Sequence, residues 1–278
     1  MSKSKFNGKI ALISGAGSGI GLELAKRLGE KGATIVGTDI DAGRAENLVQ
    51  TLKDKGVTAY GYQVDHTNLS AVEALKETVN SDVGPVDIIC CNAGVAHGGR
   101  IEKIPLKDWQ WVMDINFWGV VYMLRLFIPD MIQRKQGWVM ITSSGAGLYQ
   151  GAGMAPYNAS KAAVLGISNT LRSELKEHNI VVTALCPGVI NTNLVKDGKM
   201  SVSDKSFKAA ISHYKEKGTH PSVVAKDAVR ALEKNIGIMA TPLHVWPLYL
   251  LNRLSPELLF RVAGHLAKKG RNFVSSLD

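Results

Sequence analysis

The sequence predicts an α/β chain, a doubly wound parallel sheet of Rossmann type with helices on both faces. Three observations carry this. Strand-length apolar runs alternate with helix-length amphipathic segments from the start of the chain. The runs are apolar almost throughout, as strands covered on both sides must be. The first run also empties into a glycine-rich turn that leads directly into a helical pattern.

Taken in order, Lys9–Ser14 reads as a buried strand and 19–30 as a helix on which Ile20, Leu24 and Leu28 share a face. Ala33–Thr38 is the next strand, followed by a helix over about 41–55, a strand near Thr58–Val64 and a helix near 69–80. Val86–Cys91 is a fourth strand, and a long helical stretch runs from about Lys107 to Arg134. Trp138–Ser143, a helix over about 155–178 and Ile180–Leu185 complete six strands, with right-handed crossovers expected between them. After Pro187-Gly188 the pattern loosens, and the polar, Lys- and Ser-rich stretch 191–220 reads as a mobile flap over a site. A helix near 222–234 and a short strand around Ile236–Ala240 close a catalytic domain at 1–241. An extension at 242–278 begins with the apolar stretch Leu243–Leu254. A helix then starts at Ser255, with Pro256 in its first turn and Glu257 complementing its dipole.

Composition bounds the function. Of 278 residues, 45% are hydrophobic, 21% are charged and 28 are glycines, which excludes a disordered, collagen-like or coiled-coil chain. No run approaches 18 uninterrupted apolar residues, so no spanning helix is expected. The opening residues lack the apolar core of a secretory signal, and three cysteines, two adjacent at Cys90 and Cys91, make no disulfide framework. A reducing, cytoplasmic setting follows as the expectation. Net charge is +9, of which +7 falls in residues 196–278, with 14 Lys/Arg against 7 Asp/Glu. That excess fits either an anionic partner or a solvated basic face.

The turn Ser14-Gly15-Ala16-Gly17-Ser18-Gly19-Ile20-Gly21 carries the first chemistry. Glycines there permit positive φ and close backbone approach to a pyrophosphate, and the following helix N-terminus offers unpaired N–H groups. Asp39 ends the second strand, 18 residues past Gly21. A carboxylate there can accept hydrogen bonds from ribose hydroxyls and repels a 2′-phosphate, which favours NAD over NADP. No Lys or Arg lies within the turn or directly after Asp39, and Arg44 is a helical turn further on. Tyr157 and Lys161, four residues apart, share one helix face. A phenol ionises near ~10, too high for a base at neutral pH, and a neighbouring ammonium lowers that value.

Together, Tyr157-Asn158-Ala159-Ser160-Lys161, Ile141-Thr142-Ser143-Ser144, the glycine turn and Asn92-Ala93-Gly94 resemble the short-chain dehydrogenase/reductase family over about 9–195. The resemblance implies a tetrad. Ser144, rather than Ser143 by its spacing, matches the serine that hydrogen-bonds the substrate oxygen. Tyr157 matches the general acid/base, and Lys161 the residue that lowers its pKa and binds the nicotinamide ribose. Asn116 matches the asparagine that positions a water in the proton relay. The resemblance also places Gly15, Gly17, Ser18, Gly19, Ile20 and Gly21 at the phosphates, Asp65 near the adenine and Asn92, Ala93 and Gly94 beside the cofactor. Pro187, Gly188, Val189 and Thr192 match the segment at the nicotinamide. It further implies pairing into a homodimer or homotetramer through the helices at 107–134 and 155–178. Ser14 stands where Thr is usual and Cys91 where Asn is more common, and neither change removes a catalytic group.

The seven histidines form no metal-ligand spacing, and no metal is expected. His97 reads either as a substrate contact or as a solvated loop residue. The positions that line the pocket in the family are Val95, Ala96, Gly145, Ala146, Leu148, Tyr149, Met154 and Val189. They are mainly apolar and favour a hydrophobic alcohol or ketone, steroid-like or long-chain. Two other readings stand beside this one: the same chemistry on a small polar diol or sugar alcohol, and a non-catalytic NAD-sensing scaffold. No basic reading helix or aromatic platform speaks for nucleic acid. Between 243 and 271, leucines, Trp246 and Tyr249 are interleaved with Arg253, Arg261, Lys268, Lys269 and Arg271. This suits a helix lying at a membrane surface, and it also suits a tail packed on its own domain or on a partner subunit.

Overall fold

The chain is described here by a computed structural model covering residues 4–243, 245–259 and 261. A seven-stranded parallel sheet forms its centre, built from β1 (Ile10–Ser14), β2 (Thr34–Asp39), β3 (Ala59–Gln63), β4 (Ile88–Cys91), β6 (Gly137–Thr142), β7 (Ile180–Pro187) and β9 (Ile238–Thr241). Across the sheet the order is β3-β2-β1-β4-β6-β7-β9, so the direction of winding reverses between β1 and β4. β5 (His97–Gly99) and β8 (Lys199–Ser201) pair as a second, two-stranded parallel sheet.

Alternation along each strand sends side chains to two separate cores. On one face Ala11 and Ile13 join Leu24 and Leu28 of α1 (Gly19–Glu30), Leu48 of α2 (Ala42–Lys53) and Val229 and Leu232 of α9 (Pro221–Glu233). On the other, Leu12 and Val36 join Val72 and Leu75 of α3 (Leu69–Asp82), Phe127 and Met131 of α5 (Gly119–Arg134) and Val164 of α7 (Ala155–Glu174). Truncating one such buried side chain, Phe127→Ala for example, costs about 3–5 kcal/mol. The predicted strands and helices fall in these places with boundaries shifted by a few residues.

Two expectations need correction. The helix predicted from Lys107 to Arg134 is interrupted: α4 (Leu106–Met113) runs into a π-helical turn, Asp114–Trp118, before α5. The Gly119 N–H donates to the Asp114 carbonyl, five residues back, and the extra residue re-aims the side chains of that turn. An 18-residue window within the run 106–134 reaches a mean hydropathy of 1.3, enough by length and composition to cross a bilayer, but its Met123, Phe127 and Met131 face fills the second core. The second correction concerns 191–220, which is not a loose flap throughout. It contains β8 and α8 (Asp204–Lys217), whose N-terminus is capped by the Ser203 side chain accepting from the Ser206 N–H.

At the end of the described chain, α10 (Val245–Leu254) packs on α6 (Gly145–Leu148). Val245 is buried, and Trp246 and Tyr249 lie against Leu148, Ala184 and Ala240. Both aromatics therefore face the protein, while Leu243, Leu250, Leu254 and Leu258 face outward. Ser255 caps the next turn as its sequence predicts, its Oγ accepting from the Leu258 N–H at 3.3 Å. Residues 262–278, with Lys268, Lys269 and Arg271, lie outside the described residues.

Candidate active site

A cleft of about 620 Å³ opens at the carboxyl ends of β1 and β4, where the strand order reverses. The glycine turn after β1 forms one wall. Gly15 holds φ +61°, and a Cβ there would sit 2.9 Å from the Ala93 Cα. At Gly21 a Cβ would run into the Gly15 carbonyl oxygen. The turn is pinned from β4: the Asn92 and Ala93 N–H groups each donate to the Ser14 Oγ at 3.0 Å. Asn92 Nδ2 donates to the carbonyls of Ser14 and Gly15 at 3.1 and 3.3 Å. Ser14 thus does what a threonine hydroxyl would do, and Cys91 is a buried strand residue one position away.

The helix that follows is left open at its N-terminus. Ser18 makes no side-chain cap on α1 and the first turn holds no acidic residue, whereas Asp41 caps α2 and Asn68 caps α3. Uncapped N–H groups beside a glycine cradle suit a pyrophosphate. Gly15, Ser18, Gly19 and Ile20 line the cleft. Gly17 and Gly21 shape the turn from behind, and the Gly17 N–H donates to Asp39 Oδ2 at 3.1 Å. Asp39 is buried at the end of β2 and also accepts from the Asp41 N–H at 3.2 Å. Asp65 lines the same end of the cleft, its Oδ1 held by the Thr67 N–H and hydroxyl at 2.9 and 2.7 Å. Pro187, Gly188, Val189 and Thr192 line the opposite side, and a Cβ on Gly19 would lie 3.0 Å from the Thr192 methyl. Cradle, open helix end and buried carboxylate together fit a nicotinamide dinucleotide.

The far end of the cleft gathers the reactive groups. Ser144 begins α6, its Oγ accepting from the Ala146 N–H at 3.0 Å and donating to the Pro187 carbonyl at 3.5 Å, and its hydroxyl favours the ionised form of the Tyr157 phenol. Ser143 is spoken for, since its Oγ donates to the Lys161 carbonyl at 2.8 Å. Lys161 is buried, and its Nζ donates to the Thr142 carbonyl at 2.9 Å and lies 5.8 Å from the centre of the Tyr157 ring. Asn116, in the π-turn, is fully buried behind the cleft wall. Its Oδ1 accepts from the Val95 N–H at 2.8 Å, and its Nδ2 donates to the Val95 carbonyl and the Ser160 Oγ at 2.9 and 3.0 Å. Gly94 lets these groups meet: a Cβ there would lie 3.1 Å from both Asn116 Oδ1 and Lys161 Nζ.

The electrostatics differ from expectation. Burial pushes the Tyr157 phenol above its ordinary value, an effect that the Ser144 hydrogen bond only partly offsets. Lys161 is itself lowered by burial, to about 8. Both shifts have one cause: the two groups are cut off from water, which penalises phenolate and ammonium alike, while the Thr142 carbonyl that accepts from Nζ favours the ammonium.

Six of the eight expected pocket residues line the cleft, namely Val95, Gly145, Ala146, Tyr149, Met154 and Val189. Ala96 and Leu148 are buried and are not among its lining residues. Trp111, Ile115 and Tyr214 also line it, and no sequence signal marked them. Tyr214 comes from α8. Trp111 lies under Lys199, whose Nζ is 4.3 Å from the ring centre and pairs with Asp108 at 2.9 Å. His97 is neither solvated nor in the cleft: it is fully buried with Nε2 3.4 Å from Asp108 Oδ2, and burial lowers its pKa. Cys90, Cys91 and Cys186 are free and buried, the thiols of Cys90 and Cys186 being pushed up to about 12 by burial.

Known proteins agree with this geometry. The sequence profile described as short chain dehydrogenase matches residues 9–201. The oxidoreductase EphD of Mycobacterium tuberculosis is 32% identical over 269 residues, 91% of this chain, and the chain spans 44% of that relative's length. The 1-deoxy-11-beta-hydroxypentalenate dehydrogenase of Streptomyces exfoliatus is 33% identical over 191 residues, 68% of this chain and 70% of the relative. A short chain dehydrogenase/reductase of Burkholderia phymatum, solved in complex with NAD, superposes with a TM-score of 0.85 at 28% identity, covering 93% of this chain and 96% of that one. On the matched profile, the seven-stranded sheet and these relatives, the chain belongs to the short-chain dehydrogenase/reductase family of oxidoreductases.

Proposed function

We propose that the chain transfers a hydride between NAD(H) and a hydrophobic secondary alcohol or ketone, with Tyr157 as general acid/base. The observation that carries this reading is that Ser144, Tyr157 and Lys161 line one end of a cleft whose other end holds the glycine turn and Asp39. The bound dinucleotide supplies the hydride acceptor or donor. Ser144 hydrogen-bonds the substrate oxygen, and Tyr157 takes the hydroxyl proton as hydride leaves the carbinol carbon, or returns it in the reverse direction. Lys161, an ammonium below about pH 8, stabilises the phenolate and holds the nicotinamide ribose. Asn116 acts as a positioning residue, clamping Val95 beside Lys161.

The walls argue for the substrate class. Trp111, Tyr149, Met154 and Tyr214 present largely apolar surface to the cleft. The Streptomyces exfoliatus relative is named as a dehydrogenase of 1-deoxy-11-beta-hydroxypentalenate, a hydroxyl-bearing compound, which supports an alcohol as substrate. Asp39, together with the NAD in the Burkholderia structure, supports NAD over NADP. A screen of alcohols and ketones of graded size, followed by absorbance of the reduced nicotinamide, tests the reading. Turnover confined to small polyols would overturn it.

We also infer a homo-oligomer through α5 and α7. There Val121, Leu124, Ile128, Ile167 and Leu171 line a shallow apolar groove of about 320 Å³. The outward leucines at 243, 250, 254 and 258, next to Arg253 and Arg261, support peripheral contact of the C-terminal segment with anionic lipid. Co-sedimentation with anionic vesicles at low salt checks this, and a full chain left in the supernatant refutes it. Three buried free thiols are consistent with a reducing, cytoplasmic compartment.

A further inference from the structure

The adenosine end of the cleft holds one charged pair that the reading so far does not use. Arg44, in the first turn of α2, and Asp197, in the segment before β8, both line the cleft and pair at 2.9 Å between Nη2 and Oδ2. Arg44 belongs to the helix that starts just past Asp39, and its Cβ would lie 2.5 Å from a Cβ on Gly17. Its guanidinium feels three carboxylates, those of Asp197, Asp39 and Asp41. Asp39 and Asp41 are the local acids expected at the end of β2. Asp197 comes from more than 150 residues away in sequence.

The position of Asp197 is built rather than incidental. Its N–H donates to the Asn193 carbonyl at 2.7 Å, closing a tight turn, and the Lys199 N–H donates to the Ala96 carbonyl at 3.0 Å. Between them a Cβ on Gly198 would lie 2.6 Å from the Ala96 carbonyl oxygen, so only glycine lets the strand edge approach this closely. The β5–β8 pairing thus carries Asp197 to the guanidinium.

An arginine within reach of the ribose 2′ position is the group that would hold a 2′-phosphate. Here that arginine is occupied, and the group that occupies it adds a further negative charge. We propose that Asp197 is a cofactor-selectivity residue: by engaging Arg44 it withholds this cation from a 2′-phosphate and reinforces the rejection begun by Asp39. The inference rests on the dinucleotide reading of the cleft. It differs from the Asp39 argument in that the choice is made partly by the substrate-side segment.

The test is equilibrium binding to the full chain, by calorimetry or tryptophan fluorescence, using NAD+, NADP+, 5′-AMP and adenosine 2′,5′-bisphosphate. Asp197→Asn should lower the ratio of the NADP+ to the NAD+ dissociation constant by about tenfold, the worth of one charge-assisted contact, with the same change in the two adenosine nucleotides. Adding Arg44→Gln to Asp197→Asn should abolish the gain. An unchanged ratio in Asp197→Asn would overturn the proposal, and so would equal weakening of both dinucleotides or a gain that survives the loss of Arg44. The wild-type ratio reports separately on NAD preference: near unity it would sink that reading, whereas the response to Asp197→Asn would still decide the role of this pair.

Discussion

The Lys161 Nζ lies 5.8 Å from the centre of the Tyr157 ring, one helical turn along α7, and donates to the carbonyl of Thr142 on β6. The pair is thereby tied to the end of a core strand, and its two members have separable tasks. Tyr157→Phe deletes a hydroxyl and little else. It should cut kcat by at least about a thousandfold, within the range for loss of a general acid/base, while the NAD+ dissociation constant changes by less than about threefold. Steady-state kinetics beside a binding titration check this; near-normal turnover would dismiss the mechanism.

Lys161→Ala should behave differently. On the proposed mechanism it removes both the charge that stabilises the phenolate and the group that holds the nicotinamide ribose. Turnover should fall by about a hundredfold or more, and NAD+ binding should weaken by about tenfold. Lys161→Arg should restore binding better than turnover, since the wider guanidinium cannot keep the Thr142 contact in the same space.

Asp39 sets a third expectation. NAD should exceed NADP in kcat/KM by at least about tenfold, because seating a 2′-phosphate against a buried carboxylate costs more than about 1.4 kcal/mol. Asp39→Ser should shrink that ratio. It should also lower stability somewhat, since the N–H groups of Gly17 and Asp41 lose their acceptor.

Acid sensitivity should trace to His66. Its Nε2 lies 2.7 Å from the Thr38 Oγ1, its Nδ1 is buried without a partner, and burial lowers its pKa to about 4. The unfolded chain binds this proton near pH 6.5 and the folded chain does not until about pH 4. The folded state is therefore favoured above pH 6.5 and loses about 3 kcal/mol as the pH falls through the window to 4. Urea unfolding across that window should show a slope shallower by about one proton in His66→Leu than in the parent chain. Equal slopes would remove His66 from the account.

The last prediction concerns α10. Asn252 Nδ2 donates to the Leu148 carbonyl at 2.6 Å, bracing the helix that carries Ser144 and the neighbouring Tyr149. Asn252→Ala should raise KM for a hydrophobic alcohol by about threefold or more, with dinucleotide binding unchanged. A chain ending near Thr241 should show a larger effect in the same direction.

Much of this molecule could be read from the order of its residues, and the reason is local. Gly15 through Gly21, Asp39 and the Tyr157/Lys161 spacing act within one turn, one strand end and one helix face, where sequence distance and spatial distance are nearly the same. Near-continuous apolar runs are required of any parallel strand covered on both faces, so the sheet declared itself too. Tertiary structure decided the rest. The π-turn that buries Asn116 against Val95 depends on one extra residue per turn, which no periodicity over 107–134 displays. Asp197 is carried to the cleft by the pairing of β8 with β5, segments about a hundred residues apart, and Tyr214 by the bonds that tie Thr219, just past the end of α8, to Val189 and Asn191. The shifts at Tyr157, Lys161 and His66 likewise arise from burial, a property of the packed molecule that a linear spacing cannot carry.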